Sequence, residues 1–221
     1  MRLNSVYRVI VVGWLLGIWF AFAPAQDKPP QETGKRAPEL VELVKFDPTF
    51  KLDIRYATKN NFAKQRVYQQ ARAFLQRPAA EALIRVSAKA RAQGYGLLIF
   101  DGYRPWRVTK LFYDITPPEL KKFVADPAKG SRHNRGCAVD LSLYDLKTGR
   151  EVKMPSEYDE MTERAHVNYS YASVEAKRLR ELLRTAMEAE GFAVYEEEWW
   201  HFDFKDWREY PILDVPFERL K

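Results

Sequence analysis

Ser131-Arg-His-Asn-Arg-Gly136 followed by Cys137-Ala-Val-Asp-Leu-Ser-Leu143 passes from a polar turn directly into an alternating strand. Cys137, Val139, Leu141 and Leu143 recur every second residue, the period of a half-buried strand. Gly136 permits a sharp turn at its start, so an imidazole in the loop (His133) and a carboxylate on the strand (Asp140) can be brought together. Outward from this point the chain reads as short strands and helices in irregular order. Leu52 to Tyr56 alternates like a strand, and Gly96 to Phe100 is an apolar run suited to a buried one. Pro78 to Gln93 opens with proline, carries Ala79, Leu83, Val86 and Ala90 at helical spacing, and stops at Gly94. Further helices are expected from Trp106 to Tyr113, Pro118 to Val124 and Val174 to Glu190. Phe192 to Tyr195 and Trp199 to Phe204 read as two strands across an acidic connection. Without a regular βαβ rhythm, this pattern predicts an α+β fold. The expected architecture is a single compact domain with a small, mostly antiparallel sheet packed by helices and a metal site on the sheet.

Length and composition agree with one domain. The 221 residues are 46% hydrophobic, enough for a real core, and the single cysteine excludes both a disulfide framework and a cysteine-cluster metal site. Arg2 and Arg8 precede an uncharged apolar run, Val9 to Ala23, which is shorter than the about 20 residues a membrane span needs. Ala23-Pro-Ala25 supplies small residues for cleavage, so residues 1–25 are expected to be a signal peptide. Export would place the protein in the periplasm, with membrane contact only through the signal segment. Residues 26–36 are polar and proline-rich and read as a flexible linker, leaving 37–221 as the folded domain. Loss of residues 1–25 removes Arg2 and Arg8 and no acid, so the formal charge falls from +6 to +4. No basic stripe accompanies that charge, and no nucleic-acid partner is expected.

Two of the three histidines sit in unusual company. His133 precedes Asp140 by seven residues, and His201 follows Glu198 by three within Glu196-Glu-Glu-Trp-Trp-His-Phe-Asp203. Two imidazoles and one carboxylate form a normal catalytic zinc set, leaving a fourth position for water. A carboxylate that is not a ligand must then move the proton, and Glu198 has the chemistry for it. Here Glu198 is placed on the acidic connection and His201 at the start of the next strand. Composition alone leaves a bland alternative open: an exposed His133, an Asp140 that caps a turn, and a His201 packed among aromatics.

These motifs, Ser-x-His-x-x-Gly-x-Ala-x-Asp and Glu-x-Trp-His, resemble those of the zinc D-alanyl-D-alanine dipeptidases, the VanX-type peptidases. Asp53 to Phe62, Gly94 to Pro105 and Tyr158 to His166 also read like segments of that family, in family order, so the resemblance covers roughly Phe46 to Pro211. It implies one Zn²⁺ held by His133, Asp140 and His201, with Glu198 as general base and acid. Arg104 matches the arginine that stabilises the oxyanion. Ser131 and Asp159 match dipeptide-contacting positions, Asp159 facing the free ammonium, and Asp101 and Tyr68 match less directly as pocket supports.

The implied activity is hydrolysis of D-alanyl-D-alanine in the bacterial envelope, with the small D,D-dipeptide as partner. Two other readings compete: a zinc D,D-carboxypeptidase acting on longer peptidoglycan peptides, and a non-catalytic envelope-binding module. His166 is expected to be structural, and Cys137 a small buried thiol.

Overall fold

The computed structural model describes residues 28–221, so the expected signal peptide lies outside the described residues. Seven strands and four helices follow one another: β1 (Leu40–Glu42), α1 (Leu43–Phe46), β2 (Lys51–Leu52), β3 (Phe74–Gln76), α2 (Arg77–Ala92), β4 (Tyr95–Asp101), α3 (Trp106–Ile115), β5 (Ala138–Asp145), α4 (Val174–Glu188), β6 (Phe192–Tyr195) and β7 (Glu198–Phe204). The main sheet has the order β2-β4-β5-β7-β6. Its pairs are antiparallel except β2 with β4, which run parallel. This is the expected α+β domain. No helix among the described residues is long and apolar enough to cross a membrane.

The helices form where the apolar spacing places them. In α2 the proline occupies the first turn, where no amide partner is lost, and Ala79, Leu83, Val86 and Ala90 are buried. Ser173 caps α4 by accepting the Ala176 amide at 3.1 Å, and Leu179, Leu183 and Met187 are buried. The core is continuous from these helices into the sheet, through Leu97, Ile99, Val139, Leu141 and Leu143, each fully buried. Each such side chain contributes about 1.5–3 kcal/mol relative to exposure.

Three expectations need correction. The Leu52–Tyr56 strand ends at Leu52, and Arg55–Ala57 forms a 3₁₀ turn. Ile54 and Tyr56 are nevertheless buried, because alternation is satisfied by any extended chain whose inner residues reach the core. Residues 28–36 are not a free linker. Glu32 is ion-paired with Arg135 and bonded to the Ile212 amide, and the Arg36 amide donates to Glu209. Charge pairing with a distant arginine leaves no local pattern in a polar, proline-rich stretch. Lastly, β7 starts at Glu198 rather than after it, which places His201 in mid-strand.

A two-stranded antiparallel ribbon, β1 with β3, escaped the sequence reading because each strand has only three residues. It braces the Ser131–Gly136 turn from outside the sheet. The Gln76 amide donates to the Gly136 carbonyl at 2.8 Å, and Gln76 Nε2 donates to the Arg135 carbonyl at 2.8 Å.

Candidate active site

The sheet register lines up the chemistry. Asp101 of β4 lies opposite Asp140 of β5, and Asp140 lies opposite His201 of β7. Directly opposed residues on neighbouring strands carry their side chains close together, so three adjacent strands present three polar groups in a row. His133 joins the row from a 3₁₀ turn, His133–Arg135, that ends at Gly136 with φ of 67°. Its left-handed conformation requires glycine, and a Cβ there would also press on the Leu40 side chain.

Regular pleating would put Glu198 and His201 on opposite faces, since they are an odd number of residues apart. The pairing is irregular here. Tyr195 pairs with Glu198 across a two-residue turn, whereas Val194 pairs with Phe202, leaving Trp199 to His201 without partners on β6. That bulge turns Glu198 back toward the site, with Oε2 3.8 Å from His201 Nδ1.

His133, Asp140 and His201 are all buried, and their ligand-capable atoms lie within 4.8 Å of one another. His133 Nε2 is 3.1 Å from His201 Nδ1, and Asp140 Oδ1 is 3.3 Å and 3.0 Å from those two nitrogens. The outward ring nitrogens have their own partners. His133 Nδ1 donates to the Gly102 carbonyl at 2.7 Å, and His201 Nε2 donates to Asp203 Oδ1 at 3.0 Å. Each outer bond selects the tautomer whose inner nitrogen carries a lone pair, the orientation a metal requires. Asp140 Oδ2 accepts from Tyr158 Oη at 3.0 Å, which leaves Oδ1 for the centre.

The electrostatics call for a cation. Burial alone would lower the pKa of His201, but hydrogen bonds to Asp140 and Asp203 raise it to about 10. Burial alone would raise that of Asp140, yet the two imidazoles hold it far below the carboxylate range. Two imidazoles with one carboxylate fit a divalent transition metal, whose charge the buried Asp140 carboxylate would balance.

The remaining groups surround this centre. Burial lifts the Glu198 carboxyl to about 7, so it can hold or release a proton near neutrality, and a neighbouring dication would draw it lower. Arg104 lines the cavity, with Nε and Nη2 at 3.0 Å and 2.9 Å from Asp101 Oδ2. Its guanidinium lies over the Tyr56 and Phe112 rings, 5.4 Å and 5.0 Å from their centroids. A cation clamped in this way is fixed before any substrate arrives. Asp101 and Tyr68 do not line the cavity. Tyr68 Oη donates to Asp101 at 3.0 Å and Asp101 holds Arg104, so their place is behind the arginine rather than against substrate.

Ser131 lines the cavity, and its Oγ also accepts the His133 amide at 3.2 Å. Asp159 lines it from a loop with φ of 66°, an uncommon backbone state that clusters at functional sites. Tyr56 Oη donates to Asp159 Oδ2 at 2.8 Å, while burial raises the carboxyl to about 6. The cavity is small, about 160 Å³, below the ~300–1,000 Å³ common for ligand sites. Cys137 is fully buried, its thiol pushed up to about 12 by burial, which removes it as a nucleophile. His166 is not in the ligand cluster found among the described residues.

Sequence reasoning missed Asp203, Gly102, Tyr158 and Tyr56. Asp203 was legible in principle, two residues past His201 and therefore on the same strand face. Tyr56 and Tyr158 lie in family-like segments, but nothing local assigned either a role, since each acts through a partner far away in the chain.

Paired imidazoles with lone pairs turned inward, beside a proton-carrying carboxyl and a fixed guanidinium, belong to the metal-dependent hydrolases. The class narrows on comparison with known proteins: the family model for D-Ala-D-Ala dipeptidases, peptidase family M15, matches residues 36–217, and the chain belongs to that family. It is 35% identical over 179 residues to the D-alanyl-D-alanine dipeptidase of Escherichia coli K12, an alignment covering 81% of this chain and 91% of the relative. It is 37% identical over 175 residues to the D-alanyl-D-alanine dipeptidase of Enterococcus faecium, covering 70% of this chain and 85% of that one. The corresponding enzyme of Enterococcus faecalis V583 is 37% identical over 186 residues, covering 75% and 87%.

Proposed function

We propose that this protein is an exported, zinc-dependent dipeptidase that hydrolyses D-alanyl-D-alanine to two D-alanines during turnover of cell-wall peptides. The observation that carries the reading is the separation of roles across one small cavity. Glu198 and Arg104 flank the ligand cluster, while the acidic Asp159, held by Tyr56, also lines it. Bound zinc would supply a nucleophilic water at neutral pH and polarise the peptide carbonyl. His133, Asp140 and His201 would hold it, since two nitrogens and one carboxylate oxygen suit that ion.

The other work falls to the chain's own side chains. Glu198 accepts the proton of the attacking water on a carboxylate oxygen and passes it to the amine that leaves. Arg104 offers its guanidinium to charge that develops on the carbonyl oxygen only in the transition state. Asp159 receives the substrate's free ammonium as a charge-assisted pair. An N-acylated substrate would leave Asp159 buried without a cation, so this contact also rejects longer peptides. Export is supported by the Arg2/Arg8 start, the apolar run to Ala23 and the Ala23-Pro-Ala25 cleavage pattern. An enzyme outside the cytoplasm suits scavenging of wall-derived dipeptide better than destruction of a cytoplasmic precursor.

The test is alanine release by the purified protein from D-alanyl-D-alanine, L-alanyl-L-alanine and N-acetyl-D-alanyl-D-alanine, with and without chelator. Cleavage of the free D,D-dipeptide alone, lost with chelator and restored by zinc, is expected. Preference for the acetylated substrate would make the protein a carboxypeptidase, and metal uptake without cleavage would make it a binding module.

A further inference from the structure

The turn that carries His133 is held by a residue outside the family-matched segment, which begins at residue 36. Glu32 reaches Arg135 with two parallel bonds, Oε2 to Nη1 and Oε1 to Nη2, both 2.9 Å. Oε2 also accepts the Ile212 amide at 2.9 Å. The Arg135 side chain is 8% exposed and that of Glu32 20%, so the pair is largely shielded from water. Arginine cannot shed its charge, and its planar fork matches a carboxylate in this bidentate form.

Arg135 closes the same 3₁₀ turn that His133 opens. Beyond Glu32, its guanidinium donates to the Tyr210 carbonyl and lies over the Trp207 ring. No other carboxylate is paired with it among the described residues. The 207–213 segment in turn grips the ligand turn, because the Leu213 amide donates to the Asn134 carbonyl at 2.9 Å. Glu32 therefore ties three pieces together: the N-terminal segment, the C-terminal segment and the metal-binding turn. The turn needs such bracing because left-handed glycines, Gly130 and Gly136 with φ of 69° and 67°, bound it on both sides.

We propose that residues 28–36 form a strap in which Glu32 is a positioning residue for the metal site, acting through Arg135 to hold His133 where its inner nitrogen faces Asp140 and His201. Metal affinity in this chain thus depends in part on a segment that lies ahead of the family-matched residues 36–217. The inference rests on the metal-site reading, and its test separates the two.

Zinc affinity would be measured by competition with a chromophoric chelator for wild type, Glu32→Ala, Glu32→Gln and the double variant Glu32→Ala/Arg135→Met, with the melting temperature of each metal-free protein. Loss of a partner bonded directly to a ligand typically costs ~10–100-fold in metal affinity. Glu32 acts one step further out, through Arg135, so the low end, ~10-fold, is expected for Glu32→Ala. Glu32→Gln, which keeps hydrogen-bonding capacity, is expected to lose less. The double variant is expected to recover part of the affinity, because no unpaired buried charge remains.

Unchanged zinc affinity in Glu32→Ala would overturn the strap. So would a loss that merely follows the fall in metal-free melting temperature. Failure of the wild type to bind zinc would overturn the metal site itself and the strap with it.

Discussion

The site has two halves built in different ways. The metal half rests on the sheet: Asp140 and His201 are cross-strand partners, and each imidazole has its outer nitrogen tied down. The half proposed to receive the substrate amine rests on loops: Asp159 sits at positive φ and accepts a hydrogen bond from Tyr56. A strand pair admits only discrete registers, and a one-residue slip would send Asp140 to the other face, so the ligand geometry is all-or-none. A loop contact is adjustable, which suits recognition of a substrate end more than chemistry. Removal of a residue of the metal cluster should therefore abolish function, whereas damage to its outer partners or to the loop half should grade it.

The largest effect is expected from His133→Ala, which should lose bound metal and turnover together; metal content by atomic spectroscopy alongside the alanine-release assay checks this. Next comes Glu198→Ala, expected to keep its metal while kcat falls by ~10²–10⁴-fold, the range of acid–base catalysis. Wild-type turnover in that variant would sink the proposed proton path. Asp203→Ala, which unties His201 Nε2, should weaken metal binding by ~10–100-fold, read by chelator competition.

On the loop half the effects should fall short of those of His133→Ala and Glu198→Ala, and they should be pH-dependent. Burial raises the Asp159 carboxyl to about 6, and in the proposed role only its ionised form would pair with the substrate ammonium. For the free enzyme kcat/KM should therefore fall as pH drops through about 6. Asp159→Asn should lower kcat/KM at pH 7.5 by roughly 10–100-fold, mainly through KM, consistent with one lost charge-assisted bond, and erase the limb assigned to this group.

Stability should move the other way. The folded carboxyl binds its proton more tightly than the unfolded one, so stability falls as pH rises between the unfolded pKa of ~4 and about 6. Removing that burden, Asp159→Asn should raise metal-free stability above pH 7 by ~1–3 kcal/mol, measured by urea unfolding. A destabilised variant would mean that the Tyr56 contact needs the carboxylate more than burial opposes it.

The same contrast governs what could be read in advance. His133, Asp140, His201 and Glu198 stand in short motifs whose likeness to a known family implied their roles, while their spacing alone left a bland reading open. The long helices are visible directly, since burial of one face imposes a period on the residues themselves. The bulge that turns Glu198 inward is not visible, because nothing between Tyr195 and Phe202 marks where pairing is interrupted. Nor is the way in which Tyr68 and Asp101 support the pocket, which the packing shows to be from behind Arg104.

By itself, then, the sequence determined the α+β class and the helices, which follow from local spacing, and its motifs carried the family resemblance that implied the donor set. Only the tertiary structure decided the register that makes neighbours of Asp101, Asp140 and His201. It alone showed which nitrogen of each imidazole faces inward, and that Glu32 reaches Arg135 instead of trailing in water. These features depend on contacts between residues far apart in the chain, and no local pattern encodes a partner's distance or direction.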